Sequence, residues 1–137
     1  MNDQRITARE FRIGNWITVM GSLPTQVTAE HLYMMETYKP IDPKEANYTE
    51  MTEPILLTEE WLLKFGFKSV GKLHPTFKLR NYLLEENMMR EGKYFLRQII
   101  NKSDSLCLSG EIKYVHQLQN LYFSLTGTEL TIKETTL

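Results

Sequence analysis

Four residues near the C-terminus, His116, Gln119, Asn120 and Phe123, follow the spacing i, i+3, i+4, i+7, which places side chains on one helix face. Two amides and an imidazole can donate and accept hydrogen bonds there, and Phe123 adds an apolar anchor. Such a surface suits a protein partner, a second copy of the chain or a polar ligand. No Lys, Arg, Asp or Glu occurs from Tyr114 through Thr126, whereas an exposed helix normally carries charge on its outer side. The competing reading is that both faces are buried, with the amides satisfying strand edges.

A second group is basic. Lys64, Lys68, Lys72, Lys78 and Arg80 lie between Glu60 and Glu85 with no acid among them, and Phe65, Phe67, Phe77 and Tyr82 are interleaved. Cations that neutralise phosphates, beside aromatics on which bases stack, can hold nucleic acid. Against this, Phe65 and Phe67 are well explained as core at a helix end, and lysines at this spacing also suit an ordinary solvated face. Net charge is −1, unlike that of a dedicated DNA-binding domain. The charge is unevenly divided: residues 1–60 carry −5 and residues 61–137 carry +4.

Other chemistry finds little to build on. His31, His74 and His116 form no HxH or HExxH pattern, and no CxxC accompanies them, so no metal ligand set is expected. The phosphate-binding and nucleophile motifs GxxxxGK[ST], GxGxxG and GxSxG are missing. Glu59 and Glu60 explain themselves as charge at a helix N-terminus. No catalytic residue and no cofactor are expected, and the balance leans away from an enzyme. The single cysteine, Cys107, lies in the alternating run Ser105–Leu108 and reads as a small buried apolar residue with no adjacent base to activate it.

The elements that would position these residues are partly legible. With 42% hydrophobic and 24% charged residues over 137 positions, the chain has the composition of a globular protein large enough to bury a core. One cysteine, no signal-like N-terminus and no apolar run of membrane length point to a cytoplasmic protein with no membrane contact.

Residues 7–57 read as a mainly β lobe. Alternation over Trp16–Met20, a turn at Gly21–Pro24, short runs at 26–29 and 32–35, and a proline-punctuated loop at 39–47 fit a small curled antiparallel sheet, with a barrel as the limiting case.

A short helix follows. Thr58 is its N-cap, Leu57 and Leu62 form a hydrophobic staple, and Gly66 with Phe67 make the C-terminal ending. Strands are expected at 77–82 and 94–99, with a hairpin around Gly110 joining 105–109 to 111–114. Residues 81–90 suit a helix or a hairpin arm equally. A second helix spans 115–126 and ends at Gly127, and a final strand is expected at 129–133. The fold class is therefore α+β: an antiparallel β portion, a short helix, a second antiparallel sheet and a C-terminal helix. The chain reads as one compact unit, with a division into lobes at 7–57 and 58–137 left open.

Three blocks, Phe11-Arg12-Ile13-Gly14-Asn15-Trp16, EPILLTEEWLLKFGF at 53–67 and IKYVHQLQNLYFSLTGTELT at 112–131, resemble a family of small uncharacterised proteins from Bacteroidetes genomes and their phages and prophages. They cover roughly a third of the chain, and Leu56 stands where that family usually has proline. The resemblance implies a bacterial or phage intracellular setting and no activity. Together these readings favour a non-enzymatic adaptor that binds a protein partner or itself through the helix face. The alternative is a nucleic-acid-binding accessory protein using the basic segment 64–80.

Overall fold

The computed structural model describes residues 10–37, 44, 51–71 and 74–133. The expectations for residues 1–6, for most of the loop 39–47 and for Lys72 lie outside the described residues. The chain divides into two compact units, residues 1–55 and 56–137. The described elements form an α+β fold with two antiparallel sheets, of three and five strands, and no closed barrel.

In the first unit, strand β1 (Trp16–Val19) pairs on one side with β2 (Thr25–Gln26) and on the other with β3 (Thr52–Pro54), giving the order β2-β1-β3. Helix α1 (Ala29–Thr37) follows β2. The core is Phe11, Ile17, Val27 and Met35, with Val19 and Leu32 packed against it. Asn15 is fully buried: its Oδ1 accepts the Arg12 N–H at 2.6 Å, and its own carbonyl accepts the Val27 N–H at 2.7 Å. The Phe11–Trp16 block is thus a turn that delivers the chain into β1.

The short runs at 26–29 and 32–35 are not strands; most of that segment is α1. Thr28 and His31 cap it reciprocally. The His31 N–H donates to Thr28 Oγ1 at 3.2 Å, and the Thr28 N–H donates to His31 Nδ1 at 3.0 Å. Ala, Glu, Leu and Met fill the helix and are strong helix formers. Leu32 and Met35, three apart, then face the core together.

In the second unit, helix α2 (Glu59–Lys64) is set by its ends. Thr58 accepts the Trp61 N–H. At the C-terminus the Phe67 N–H donates to the Leu62 carbonyl and the Gly66 N–H to the Leu63 carbonyl, both at 3.0 Å. This is the six-to-one, five-to-two pairing that requires a left-handed residue, and Gly66 supplies it at φ 94°. Leu62, Phe65 and Phe67 are buried.

The five-stranded sheet has the order β4-β5-β6-β7-β8, in which β4 is Lys68–Ser69, β5 Thr76–Leu79, β6 Tyr82–Glu86, β7 Tyr94–Ile99 and β8 Ser105–Cys107. Residues 81–90 therefore supply a hairpin arm rather than a helix, and Tyr82 begins β6 instead of ending β5. One face buries Phe77, Tyr82, Leu84, Tyr94 and Leu96, with Phe77, Leu84 and Leu96 in register across three strands. Helix α3 (Val115–Thr126) meets this inner face through the edge-on pair Tyr82–Tyr122 at 5.8 Å. Gly71 is required by close approach: a Cβ there would stand 2.0 Å from the His74 carbonyl oxygen.

Two expectations at the C-terminal side are corrected. Residues 105–114 do not fold back at Gly110. Both halves run along β7, because the Leu108 N–H donates to the Leu96 carbonyl and Ile112 pairs with Tyr94. Residues 109–111 bulge out between them, and Ser109 Oγ accepts the Leu96 N–H at 3.0 Å in place of a strand carbonyl. Residues 129–133 form no strand. Leu130 is buried, and the Lys133 N–H caps the end of α2 by donating to the Lys64 carbonyl at 2.7 Å.

Candidate ligand-binding face

The helix-face residues do not form an exposed patch. His116 and Gln119 are each 1% exposed, Asn120 is half-buried, and Phe123 is 38% exposed. The buried arc of α3 is Val115, His116, Leu118, Gln119 and Tyr122. It joins His116 and Gln119 of the expected contact face to the apolar Val115, Leu118 and Tyr122, and it leaves Leu125 outside at 41% exposure. Burial explains the missing charge at those five positions, while Gln117, Phe123, Ser124 and Leu125 are exposed and uncharged. His116 stacks on Tyr114 with ring centroids 5.8 Å apart, and burial pushes its pKa down from 6.5 to about 4.

That shift fixes a pH dependence. The unfolded chain takes up a proton at His116 below about pH 6.5, while the folded chain resists until about pH 4. Stability is therefore full above pH 6.5 and falls as pH drops, by about 2 kcal/mol at pH 5. Urea unfolding at pH 7.5 and pH 5 should show this loss in the natural chain and a smaller one in His116→Gln. Equal losses in both would mean His116 is not its source.

The basic residues fare differently. Lys64 belongs to α2, where it pairs with Glu60 at 3.3 Å and lies over the Trp61 ring at 4.8 Å. Phe65, Phe67, Phe77 and Tyr82 are all buried, so none can stack on a base. Lys68, Lys78 and Arg80, however, come together on the five-stranded sheet.

Strand alternation puts Lys78, Leu83, Glu85, Phe95, Arg97, Ile99 and Cys107 on the outer face, opposite the buried row. In register across this face run Lys68, Lys78, Leu83, Arg97 and Cys107. Cys107 is exposed, correcting the buried reading: β8 is an edge strand, and its outward residues meet solvent. Arg97 is engaged within the face, 2.9 Å from Ser105 Oγ and 3.8 Å from Glu85 Oε1.

The cations gather at one end of the sheet. The turn Arg80–Asn81, between β5 and β6, and the loop 100–104, between β7 and β8, lie at that end and are tied by the Ile99 N–H donating to the Asn81 carbonyl at 2.7 Å. Lys68, Lys78, Arg80 and Lys102 are exposed, and among the described residues none of them makes an ion pair. Two features carry a local cost. Lys68 and Lys78 are directly opposed across the strands, a like-charge arrangement that is destabilising. Arg80 holds φ 54°, a conformation that disfavours any residue with a Cβ.

Between sheet and loop lies a cleft of about 450 Å³. Leu83 and Ile99 form its apolar lining, and Lys78, Lys102, Ser103 and Asp104 its polar one. The loop is held by Asn101, whose Oδ1 accepts the N–H groups of Ser103 and Asp104 at 3.0 and 2.9 Å. Sequence reading missed Lys102, the cleft and the half-buried outer aromatic Phe95. Asn101-Lys102-Ser103-Asp104 does carry a turn signature, yet only the strand order shows which cations it joins.

Among the described residues, no group of three or more His, Cys, Asp or Glu could hold a metal ion, and no helix is long and apolar enough to cross a membrane. Comparisons with protein-family models, with curated proteins and with solved structures find no match.

Proposed function

We propose that this chain is a non-enzymatic binding protein, in a bacterial or phage setting, whose working surface is the outer face of the five-stranded sheet and whose partner is single-stranded nucleic acid. One observation carries the reading: Lys68, Lys78, Arg80 and Lys102 converge on one end of that face without ion-pair partners among the described residues. The opposed lysines and the left-handed arginine each cost folding free energy, and bound phosphates would offset that cost. Leu83, Phe95 and Ile99 lie on the same face and are half-buried, an apolar floor on which unpaired bases can rest. The adaptor reading through α3 has less support, since His116 and Gln119 are buried.

The test is fluorescence anisotropy of a labelled mixed-sequence oligonucleotide, titrated with the full chain over a range of salt. Three or four phosphate contacts on a single strand predict a slope of log affinity against log salt of roughly −2 to −3. Affinity should then fall about 20- to 60-fold between about 50 and 200 mM salt. No binding at low salt, or binding that ignores salt, would overturn the reading.

A further inference from the structure

The cleft beside the cationic end differs from the rest of the face in that none of its charged side chains makes an ion pair among the described residues, whereas Arg97 and Glu85 pair with each other. Its lining is apolar at Leu83 and Ile99, cationic at Lys78 and Lys102, and anionic at Asp104. A phosphate alone would be repelled by Asp104, and an apolar ligand alone would leave three charges unanswered. The lining calls for a ligand with an anionic group at one end, a flat or apolar body, and a hydrogen-bond donor placed to meet a carboxylate.

We propose that this cleft is a ribonucleotide site, with the phosphate at Lys78 and Lys102, the sugar and base over Leu83 and Ile99, and a ribose hydroxyl donating to Asp104. The cleft is open to solvent, and its volume of about 450 Å³ falls within the range of small-ligand clefts. Asp104 retains acceptor capacity for this role. The Asn101 amide lies 3.4 Å from its Oδ2, and a carboxylate offers about four lone-pair positions. The Asn101-braced turn fixes the backbone of Ser103 and Asp104 before any ligand arrives, which lowers the cost of ordering them on binding. The Ser105 hydroxyl, which accepts from Arg97 Nε at 2.9 Å, keeps its own proton to donate to a phosphate, whereas the Ser103 hydroxyl already donates to Asn101 Oδ1 at 3.1 Å. The inference rests on the nucleic-acid reading and deepens it, because the same cleft would seat one residue of a bound strand and give RNA an advantage over DNA.

The experiment is a titration of the isotopically labelled full chain with adenosine 5′-monophosphate, its 2′-deoxy analogue and inorganic phosphate, followed by amide chemical shifts. The expected result is that the ribonucleotide moves the amides of Leu83, Ile99 and residues 101–105, with affinity at least about tenfold above inorganic phosphate and severalfold above the deoxy analogue. Lys102→Ala should weaken both nucleotides about tenfold. Asp104→Asn should narrow the gap between ribose and deoxyribose while the spectrum of the free chain stays that of a folded protein. No shift with the ribonucleotide, shifts outside the cleft, or equal affinity for all three ligands would overturn the inference. If an oligonucleotide binds with the expected salt slope while the cleft amides stay still, the cleft assignment fails and the face reading stands. If the mononucleotide binds in the cleft and no oligonucleotide binds, the cleft stands and the face reading fails.

Discussion

Leu84→Ala will destabilise the second unit by about 2–5 kcal/mol, the range for emptying a fully enclosed leucine site. Leu84 has 0% exposure and occupies β6, the middle strand of five. Its cross-strand neighbours on the same face are Phe77 and Leu96, both buried, so the cavity would be walled by side chains already fixed in register. A rigid pleated face cannot collapse into the gap as a helix end or loop can, which favours the upper part of the range. A unit of this length has a total stability of roughly 4–12 kcal/mol, so the loss is a large fraction of it. Trp61 is buried in α2 of the same unit, and in a Trp16→Phe background its fluorescence reports the unfolding of that unit in urea. A shift below about 1 kcal/mol would mean that the inner face is not a close-packed core.

What sequence made legible was local, and what it missed was lateral. Thr58, Gly66 and Phe67 announce the ends of α2 because capping chemistry involves residues within one turn of each other. Val115–Thr126 is legible for a similar reason, since helical periodicity is a property of one segment. Periodicity alone does not say how wide the buried arc is, and so it splits α3 into a core face and a contact face that the structure does not separate. The segment 26–35 hides its helix because the Thr28–His31 cap uses a histidine, outside the usual glutamate or glutamine pattern. The candidate face depends on which strands are neighbours. Lys68 meets Lys78, and Lys78 meets Leu83, through β pairing that no single segment encodes. The blocks 11–16, 53–67 and 112–131 correspond to the turn into β1, to the end of β3 and α2 with its caps, and to α3 with its flanks. They describe the scaffold, while the cationic end is built from residues 68–105, outside all three.

The largest functional effect is expected at Lys78, and its sign differs from its effect on folding. Lys78→Glu removes one cation from the cleft and sets an anion beside Arg80 and Lys102, so oligonucleotide affinity at low salt should fall at least about tenfold, equivalent to about 1.4 kcal/mol. The same change replaces an opposed lysine pair with a carboxylate facing Lys68 in register, an arrangement that favours folding by about 0.2–1 kcal/mol. A chain that melts at the same or higher temperature and binds worse cannot have lost affinity through unfolding. Lys93→Glu is the matched control: it changes net charge equally but lies in the β6–β7 connection, at the opposite end of the sheet. If Lys93→Glu weakens binding as much as Lys78→Glu, the affinity comes from overall charge and the face has no special role. If neither variant weakens it, the nucleic acid lies elsewhere on the chain. A loss confined to Lys78→Glu, with its salt slope reduced by about 0.7, would tie phosphate contact to the cationic end of the outer face.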